Sequence, residues 1–220
     1  MKKLLVGLIF CVVLSACFLE KRQLLKAVKS GELKTVKELI DKGADVNTRD
    51  RDGWSLLHWS IYNNHDDISH FLIARGADVR SKTQHGKRVP PFFIDPDWTV
   101  LHAAARFRDL ELLKLLIDKG ADINAKDEGG RAVIHEAGNE GHWEIVRYLI
   151  DKGVSPNSKG SFPGRTVLHS ASQHGNLRVV KYIVERGAHV NAKDYGGVTP
   201  LGLAHNAEIR AYLKRHGAKR

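Results

Sequence analysis

A five-residue motif returns along the chain at nearly constant intervals, and this periodicity limits the possible folds more than any other feature. GADVN at 43–47 is followed by GADVR from 76, GADIN from 120, GVSPN from 153 and GAHVN from 187. The intervals are 33, 44, 33 and 34 residues. A period of this length indicates small structural units that cannot bury an apolar face alone and therefore stack in a row.

A second motif keeps step with the first. It reads SLLHWS from Ser55, TVLHAA from Thr99, AVIHEA from Ala132, TVLHSA from Thr166 and TPLGLA from Thr199. These segments resemble the TPLHxA signature of ankyrin repeats, and the resemblance covers nearly all of the chain after Glu20. It implies an all-α ankyrin-repeat solenoid of helix-turn-helix units, with β-hairpin fingers between them and a capping repeat at each end.

The residues of a single repeat agree with this resemblance. In TVLHAAARFRDLELLKLLIDKGADINAKD, Thr99 is a suitable N-cap and Gly120 a suitable terminator of the second helix. Between them, leucines at helical spacing predict a buried stripe made of Leu112, Leu113, Leu115 and Leu116. One helix pair cannot cover such a stripe, so neighbouring repeats are expected to cover it.

We predict a leader over 1–16, a lipid-bearing Cys17 with a short tether to 20, and a repeat domain over 21–220. Within that domain we place an N-terminal cap at 21–50, repeats at about 51–82, 98–127, 128–160 and 164–194, and a C-terminal repeat at 195–220. An insertion over 83–97 and one extra residue at 161–163 break the period, both where hairpin fingers are expected. Pro90 and Pro91 argue against a regular strand or helix through the insertion. Its Phe92 and Phe93 either fill the solenoid or touch a partner.

The first twenty residues have the pattern of an export signal. Two lysines precede an apolar run from Leu4 to Ala16, which at 13 residues is shorter than the roughly 20 that a membrane span needs. Leu14-Ser15-Ala16-Cys17 is similar to the bacterial lipobox, in which the cysteine is acylated before cleavage. An ordinary signal peptide with an incidental cysteine is the alternative.

Cleavage before Cys17 would leave a mature, lipid-bearing chain that we expect in the periplasm. It removes Cys11, the other of the two cysteines, so the mature chain has no disulfide, and it lowers the net charge from +10 to +8. A basic balance would suggest nucleic acid, but a periplasmic protein meets none there. Because Phe18, and not aspartate, follows the lipidated cysteine, lipoprotein sorting in a Gram-negative cell implies the inner leaflet of the outer membrane.

The sequence has no motif that predicts catalysis. GxSxG, a P-loop, HExxH and paired-cysteine patterns are all missing, so we expect no enzyme activity, no cofactor and no metal. HEAGNEGH places His135 and His142 seven residues apart. In the ankyrin register, however, His135 is the motif histidine that ties adjacent loops together, and His142 begins the second helix.

The resemblance also implies where a partner binds. Variable positions of ankyrin repeats flank the hairpin glycine and follow the first helix, and together they line the concave face. In this chain the chosen positions are Arg51, Trp54, Tyr62, Trp98, Arg106, Phe107, Arg131, Glu140, Phe162, Arg165, His174 and Tyr195.

Aromatic and arginine side chains are typical of hot spots for protein partners. We therefore expect Trp54 and Trp98 to lie exposed, so that replacing either with alanine weakens binding and leaves stability unchanged. The alternative is that some of these rings fold back onto the neighbouring hairpin and fill space.

Two binding functions fit this sequence. One is immunity, in which the anchored protein, a monomer when free, neutralises a secreted envelope toxin such as a type VI phospholipase. The other is a periplasmic scaffold or protective partner of an envelope or stress-response enzyme. Direct contact of the basic surface with anionic lipid is a further possibility.

Overall fold

The computed structural model describes residues 18–84, 87–89, 92–107 and 109–219. The predicted leader and Cys17 lie outside these residues. The described part contains twelve helices and one two-stranded antiparallel sheet. None of the helices in this part has the length and apolar character that a membrane span requires.

The helices follow one another in pairs. They are α1 over 18–30, α2 Leu33–Asp41, α3 Leu56–Tyr62, α4 Asp66–Ala74, α5 Val100–Arg106, α6 Leu110–Asp118, α7 Val133–Asn139, α8 Trp143–Asp151, α9 Val167–Gln173, α10 Leu177–Glu185, α11 Pro200–Leu203 and α12 Ala207–Arg215. Residues 18–20, which the sequence assigned to a tether, already belong to α1.

Each pair packs against the next, which gives the predicted stack. The first helices of successive pairs, α3, α5, α7, α9 and α11, contact one another in that order, and α4, α6, α8, α10 and α12 each contact the first helix of their own pair. One continuous apolar core extends from Leu24 in α1 to Leu213 in α12. Because the described residues supply this core through all twelve helices, we expect residues 18–220 to fold without the leader.

The helix ends form as the sequence predicts. The hydroxyls of Ser55 and Thr99 accept hydrogen bonds from the backbone N–H three residues later, each at 3.3 Å, which caps α3 and α5. Gly120 follows α6 with a φ of +94°, in the left-handed region that glycine favours. The leucine stripe of α6 is buried except at Leu115, which is half-buried because it lies at the edge of the stripe.

The motif histidines tie adjacent loops together, as predicted, and each one bonds a carbonyl in the finger that follows its helix pair. The Nδ1 atom of His58 accepts from the Ser55 N–H at 3.3 Å, so Nε2 carries the hydrogen and donates to the Trp98 carbonyl at 3.1 Å. Three equivalent links join His102 to Arg131 at 3.0 Å, His135 to Ser158 at 2.8 Å and His169 to Val198 at 3.1 Å. Burial lowers the pKa of His58 to about 3 and that of His102 to about 4, so both rings are neutral.

The connections between pairs form short hairpin fingers. Single antiparallel bridges close three of them, between Arg49 and Ser55, Lys82 and Thr99, and Lys126 and Ala132.

The insertion lengthens the second finger into a sheet of strands β1 Lys87–Val89 and β2 Phe92–Ile94, with Lys87 opposite Ile94. The sequence argued against one regular element through the whole insertion, and the structure instead has two short strands, which lie on either side of positions 90 and 91. Ile94 is buried. The side chains of Phe92 and Phe93 lie outside the described part.

Candidate functional site

Trp54 and Trp98 are core residues. Both are 0% exposed, with ring centroids 5.8 Å apart, and the ring of Trp59 lies 4.6 Å from that of Trp54. The prediction that these two tryptophans stand exposed for a partner was therefore wrong. Adjacent fingers and α3 bring three large rings together, and burying the apolar surface of these rings stabilises the fold.

Two further predicted site residues extend this cluster. Tyr62 meets Trp54 edge-on at 5.7 Å and Phe107 edge-on at 5.3 Å, and both Tyr62 and Phe107 are half-buried. The ammonium of Lys29 lies 3.7 Å from the centre of the Trp59 ring. The alternative that rings fill space between repeats describes this cluster, in which Trp54, Trp59 and Trp98 are buried and Tyr62 and Phe107 half-buried.

Glu136 is the centre of a buried ion-pair network. Its carboxylate is 1% exposed and accepts from Arg106 Nη1 at 2.8 Å and from Arg131 Nη1 at 2.9 Å. The indole N–H of Trp98 donates to the same carboxylate at 3.3 Å. The network thus connects the helices α5 and α7 with two fingers, and it borders the aromatic cluster directly.

The arginines of the network also reach outward. Arg106 Nη2 lies 3.1 Å from Glu140 Oε1, while Arg131 pairs with Asp95 at 3.5 Å and donates from Nε to the Ser161 hydroxyl at 3.1 Å. Arg106, Arg131 and Glu140 were predicted to contact a partner. Their charged groups instead form ion pairs within the protein, between side chains of neighbouring repeats.

Asp127 is a fourth carboxylate beside this network. One of its oxygens accepts from the backbone N–H of Arg131 at 2.7 Å, and its side chain is fully buried. This burial raises the pKa of Asp127 to about 6. Arg106 thus pairs with two carboxylates and Arg131 with three, which restrains both guanidinium groups and leaves the region without excess positive charge.

The sequence reasoning did not select Glu136 or Trp59, although a signal was available. Both occupy the same place in the repeat, directly after the motif histidine, where other repeats have Ala103 and Ser170. A large or charged residue at a position that other repeats fill with a small residue indicates that the packing differs locally.

An exposed apolar patch lies on the last two fingers. Phe162 is 87% exposed, Tyr195 62% and Val198 37%. The backbone N–H of Tyr195 donates to the Pro163 carbonyl at 2.7 Å, which joins the two fingers. We call Phe162, Pro163, Tyr195 and Val198 the finger patch.

Gly164 allows the Tyr195 ring to lie where it does. Its φ is +79°, and a Cβ there would stand 2.7 Å from three atoms of that ring. The ring therefore rests on bare backbone, with the Lys159 ammonium 5.4 Å from its centre. The Tyr195 ring of the finger patch is thus held in place although it is exposed.

A polar groove of about 300 Å³ runs beside the finger patch. In it, Arg165 donates to Gln173 at 2.8 Å and pairs with Asp194 at 3.5 Å, and His174 meets Trp143 edge-on at 5.3 Å. The groove is lined by Arg131, His135, Asn139, Gly160, Ser161, Phe162, Pro163, Arg165, Ser170, Gln173 and His174.

All but one of the predicted site residues fall in three places. Trp54, Tyr62, Trp98 and Phe107 form the aromatic cluster, and the residues around Glu136 form the ion network. Phe162, Arg165, His174 and Tyr195 border the groove and the finger patch. Arg51 lies apart from all of these, exposed on the first finger beside α1.

The paired histidines of HEAGNEGH serve the fold. His135 bonds the Ser158 carbonyl, and His142, the N-cap of α8, bonds the Ala105 carbonyl at 3.0 Å. Across residues 18–84, 87–89, 92–107 and 109–219, no three histidine, cysteine or acidic side chains are grouped as a metal site would require.

Comparison with known families decides what kind of chain this is. The family model described as Ankyrin repeats (3 copies) matches residues 10–83, 85–160, 101–194 and 134–219. The chain belongs to the ankyrin-repeat family. The all-α solenoid expected from the two motifs is thereby confirmed, and the repeats give this ankyrin-repeat protein a protein-binding role.

Curated relatives match the ankyrin-repeat protein over part of its length. It is 33% identical over 112 residues to the palmitoyltransferase Hip14 of Drosophila melanogaster, and the aligned segment covers 51% of this chain and 16% of the relative. It is 37% identical over 114 residues to human palmitoyltransferase ZDHHC13, covering 52% and 17%. It is 42% identical over 76 residues to human protein phosphatase 1 regulatory subunit 27, covering 34% and 49%. The chain thus spans about a sixth of each palmitoyltransferase and about half of the phosphatase subunit.

Proposed function

We propose that this protein captures one folded protein partner with the finger patch and the groove beside it, without catalysis. The observation that carries the proposal is the exposure of Phe162 and Tyr195 on adjacent fingers. Exposed aromatic rings contribute little to the stability of a fold, but they bury large areas when they enter a pocket on a partner.

The surroundings of the finger patch favour a tight complex. Tyr195 is fixed against Gly164, and Arg165 is held by Gln173 and Asp194, so few side chains would lose freedom on binding. Lys159 and Arg165 place positive charge at the edges of an apolar centre. A partner with an apolar pocket and an acidic rim would complement this surface.

Replacing both Phe162 and Tyr195 with alanine should weaken partner binding by about 2 kcal/mol or more, roughly thirtyfold, because two exposed anchors are lost. The experiment is a titration of purified residues 18–220 against the partner recovered from a periplasmic extract. Phe18→Ala is the matched control, since it removes an exposed ring at the opposite end. Equal affinity of the double variant and the control would remove the finger patch from the binding site.

We further propose that the partner is a secreted envelope toxin of the lipase class, which makes the protein an immunity protein. The predicted leader and lipid anchor support this function, because an inhibitor held at a membrane meets a membrane-attacking enzyme at high local concentration. Deleting the gene should sensitise cells to toxin-armed siblings, and residues 18–220 should inhibit the toxin at a 1:1 ratio. Normal survival of the deletion strain, with only a housekeeping enzyme recovered, would favour the scaffold function instead.

We propose that Cys17 carries the lipid that anchors the protein, most simply at the outer membrane. Cys17→Ala should move the protein from the membrane fraction to the soluble fraction after a high-salt wash, because an acyl chain survives such a wash and ionic attraction does not. Ser15→Thr is a control that keeps the cysteine. A Cys17→Ala protein still in the washed membranes would show that the anchor lies elsewhere.

A further inference from the structure

The N-terminal end of the stack carries a second exposed apolar feature, far along the chain from the finger patch. Phe18 and Leu19, in the first turn of α1, are 62% and 65% exposed. The opposite side of α1 is buried through Leu24, Ala27 and Val28. The helix is therefore amphipathic, but its first turn presents apolar side chains to solvent.

A basic groove begins at this apolar pair. Its volume is about 830 Å³, and it runs between α1 and the first finger. Besides Ser30 and the apolar Phe18 and Leu25, it is lined by six cations and one acid, namely Lys21, Arg22, Lys26, Lys29, Arg49, Arg51 and Asp50.

Most of the positive charge in this groove is uncompensated. The single acid, Asp50, already lies 4.0 Å from Lys29 and accepts from the Trp59 indole at 3.0 Å, and Arg49 pairs with Asp78 outside the groove at 3.5 Å. Within the described residues, Lys21, Arg22 and Lys26 are exposed and have no carboxylate within ion-pair distance. The groove therefore offers a cluster of cations to an anionic ligand.

We propose that this face docks on an anionic lipid surface, with headgroup phosphates among the cations of the groove and Phe18 and Leu19 at the acyl boundary. Cations beside exposed apolar side chains on one amphipathic helix are the combination that membrane interfaces bind. A soluble phosphate would satisfy the cations only and leave the apolar pair in water. This inference holds whether or not Cys17 is acylated, and it does not depend on the protein partner.

The test uses residues 18–220, which contain the whole core but neither the leader nor a lipid. We expect co-sedimentation with phosphatidylcholine vesicles that contain about one third phosphatidylglycerol, and little with phosphatidylcholine alone. Lys21→Glu with Lys26→Glu should weaken this binding at least about tenfold, since each cation near an anionic surface contributes measurably. Lys34→Glu with Lys42→Glu makes the same change in net charge on exposed residues outside the groove and should have a much smaller effect.

Two further measurements separate the lipid surface from other anions. Phe18→Ser with Leu19→Ser should also weaken vesicle binding although it leaves the charge unchanged, because part of the binding depends on apolar insertion. An equal loss of vesicle binding in the two lysine double variants would overturn the proposal. Unchanged vesicle binding in the variant with Phe18→Ser and Leu19→Ser would do so too. Tighter binding to polyglutamate or to single-stranded RNA than to the vesicles would overturn it as well. Melting temperatures of all variants establish that each one is folded.

Discussion

Replacing Trp98 with alanine should lower the free energy of unfolding by about 3–5 kcal/mol. The ring is fully buried between two repeats, where it packs on Trp54 and donates to Glu136 at 3.3 Å. Truncation leaves a cavity and also removes one donor from a buried carboxylate. Denaturant unfolding of residues 18–220 measures the change.

Tyr195→Ala is the matched control for this experiment. It also removes an aromatic ring from a finger, but that ring is mostly exposed, so its loss should cost less than about 1 kcal/mol. An unchanged unfolding midpoint for Trp98→Ala, together with lost partner capture, would return Trp98 to the role of an exposed anchor.

Replacing Glu136 with leucine should lower the free energy of unfolding by about 3 kcal/mol, because two arginines lose their shared buried partner. Arg106 and Arg131 are only 10% and 21% exposed, so water cannot fully replace the carboxylate. Glu136→Gln keeps an acceptor and the side-chain shape, so we expect a smaller loss. Thermal and denaturant unfolding of the two variants provide the comparison.

Glu144→Leu is the control for the loss of an acidic side chain, since Glu144 is exposed on α8. We expect it to change stability by no more than about 0.5 kcal/mol. A Glu136→Leu protein as stable as Glu144→Leu would mean that apolar packing replaces the network without loss, as happens at some buried ion pairs.

The fold could be predicted from the sequence because its rules are local and repeated. Thr99 as a cap, Gly120 as a terminator and His58 as a link to the next loop depend on residues close by in the chain or one repeat away. The period supplied five instances of the same pattern, so chance matches were easily separated from true ones.

The exposure of individual site residues could not be predicted in the same way. Trp54 and Phe162 both occupy finger positions, yet one is 0% and the other 87% exposed. The difference arises from what surrounds each ring, since Trp59 and Tyr62 of the same repeat and Trp98 of the next repeat pack on Trp54. A variable position thus indicates that the residue is free to change, not that it faces solvent.

The insertion presented the same difficulty. β1 and β2 pair across positions 90 and 91, and this pairing depends on how Thr83 and Trp98 align the base of the finger. The Thr83 N–H donates to the Trp98 carbonyl at 3.0 Å. Proline content indicated a break in the chain but carried no information about the strands on either side.

The histidine links give the stack a polarity. Every link runs from a side chain in one helix pair to a carbonyl of the finger that follows this pair toward the C-terminus, and the last repeat has Gly202 where the others have histidine. Loss of the repeats on the C-terminal side would leave an imidazole N–H without its acceptor, whereas loss of the repeats on the N-terminal side would leave a carbonyl without its donor. The two ends of the molecule are therefore chemically unequal, because a stack opened between repeats presents hydrogen-bond donors on one new face and acceptors on the other.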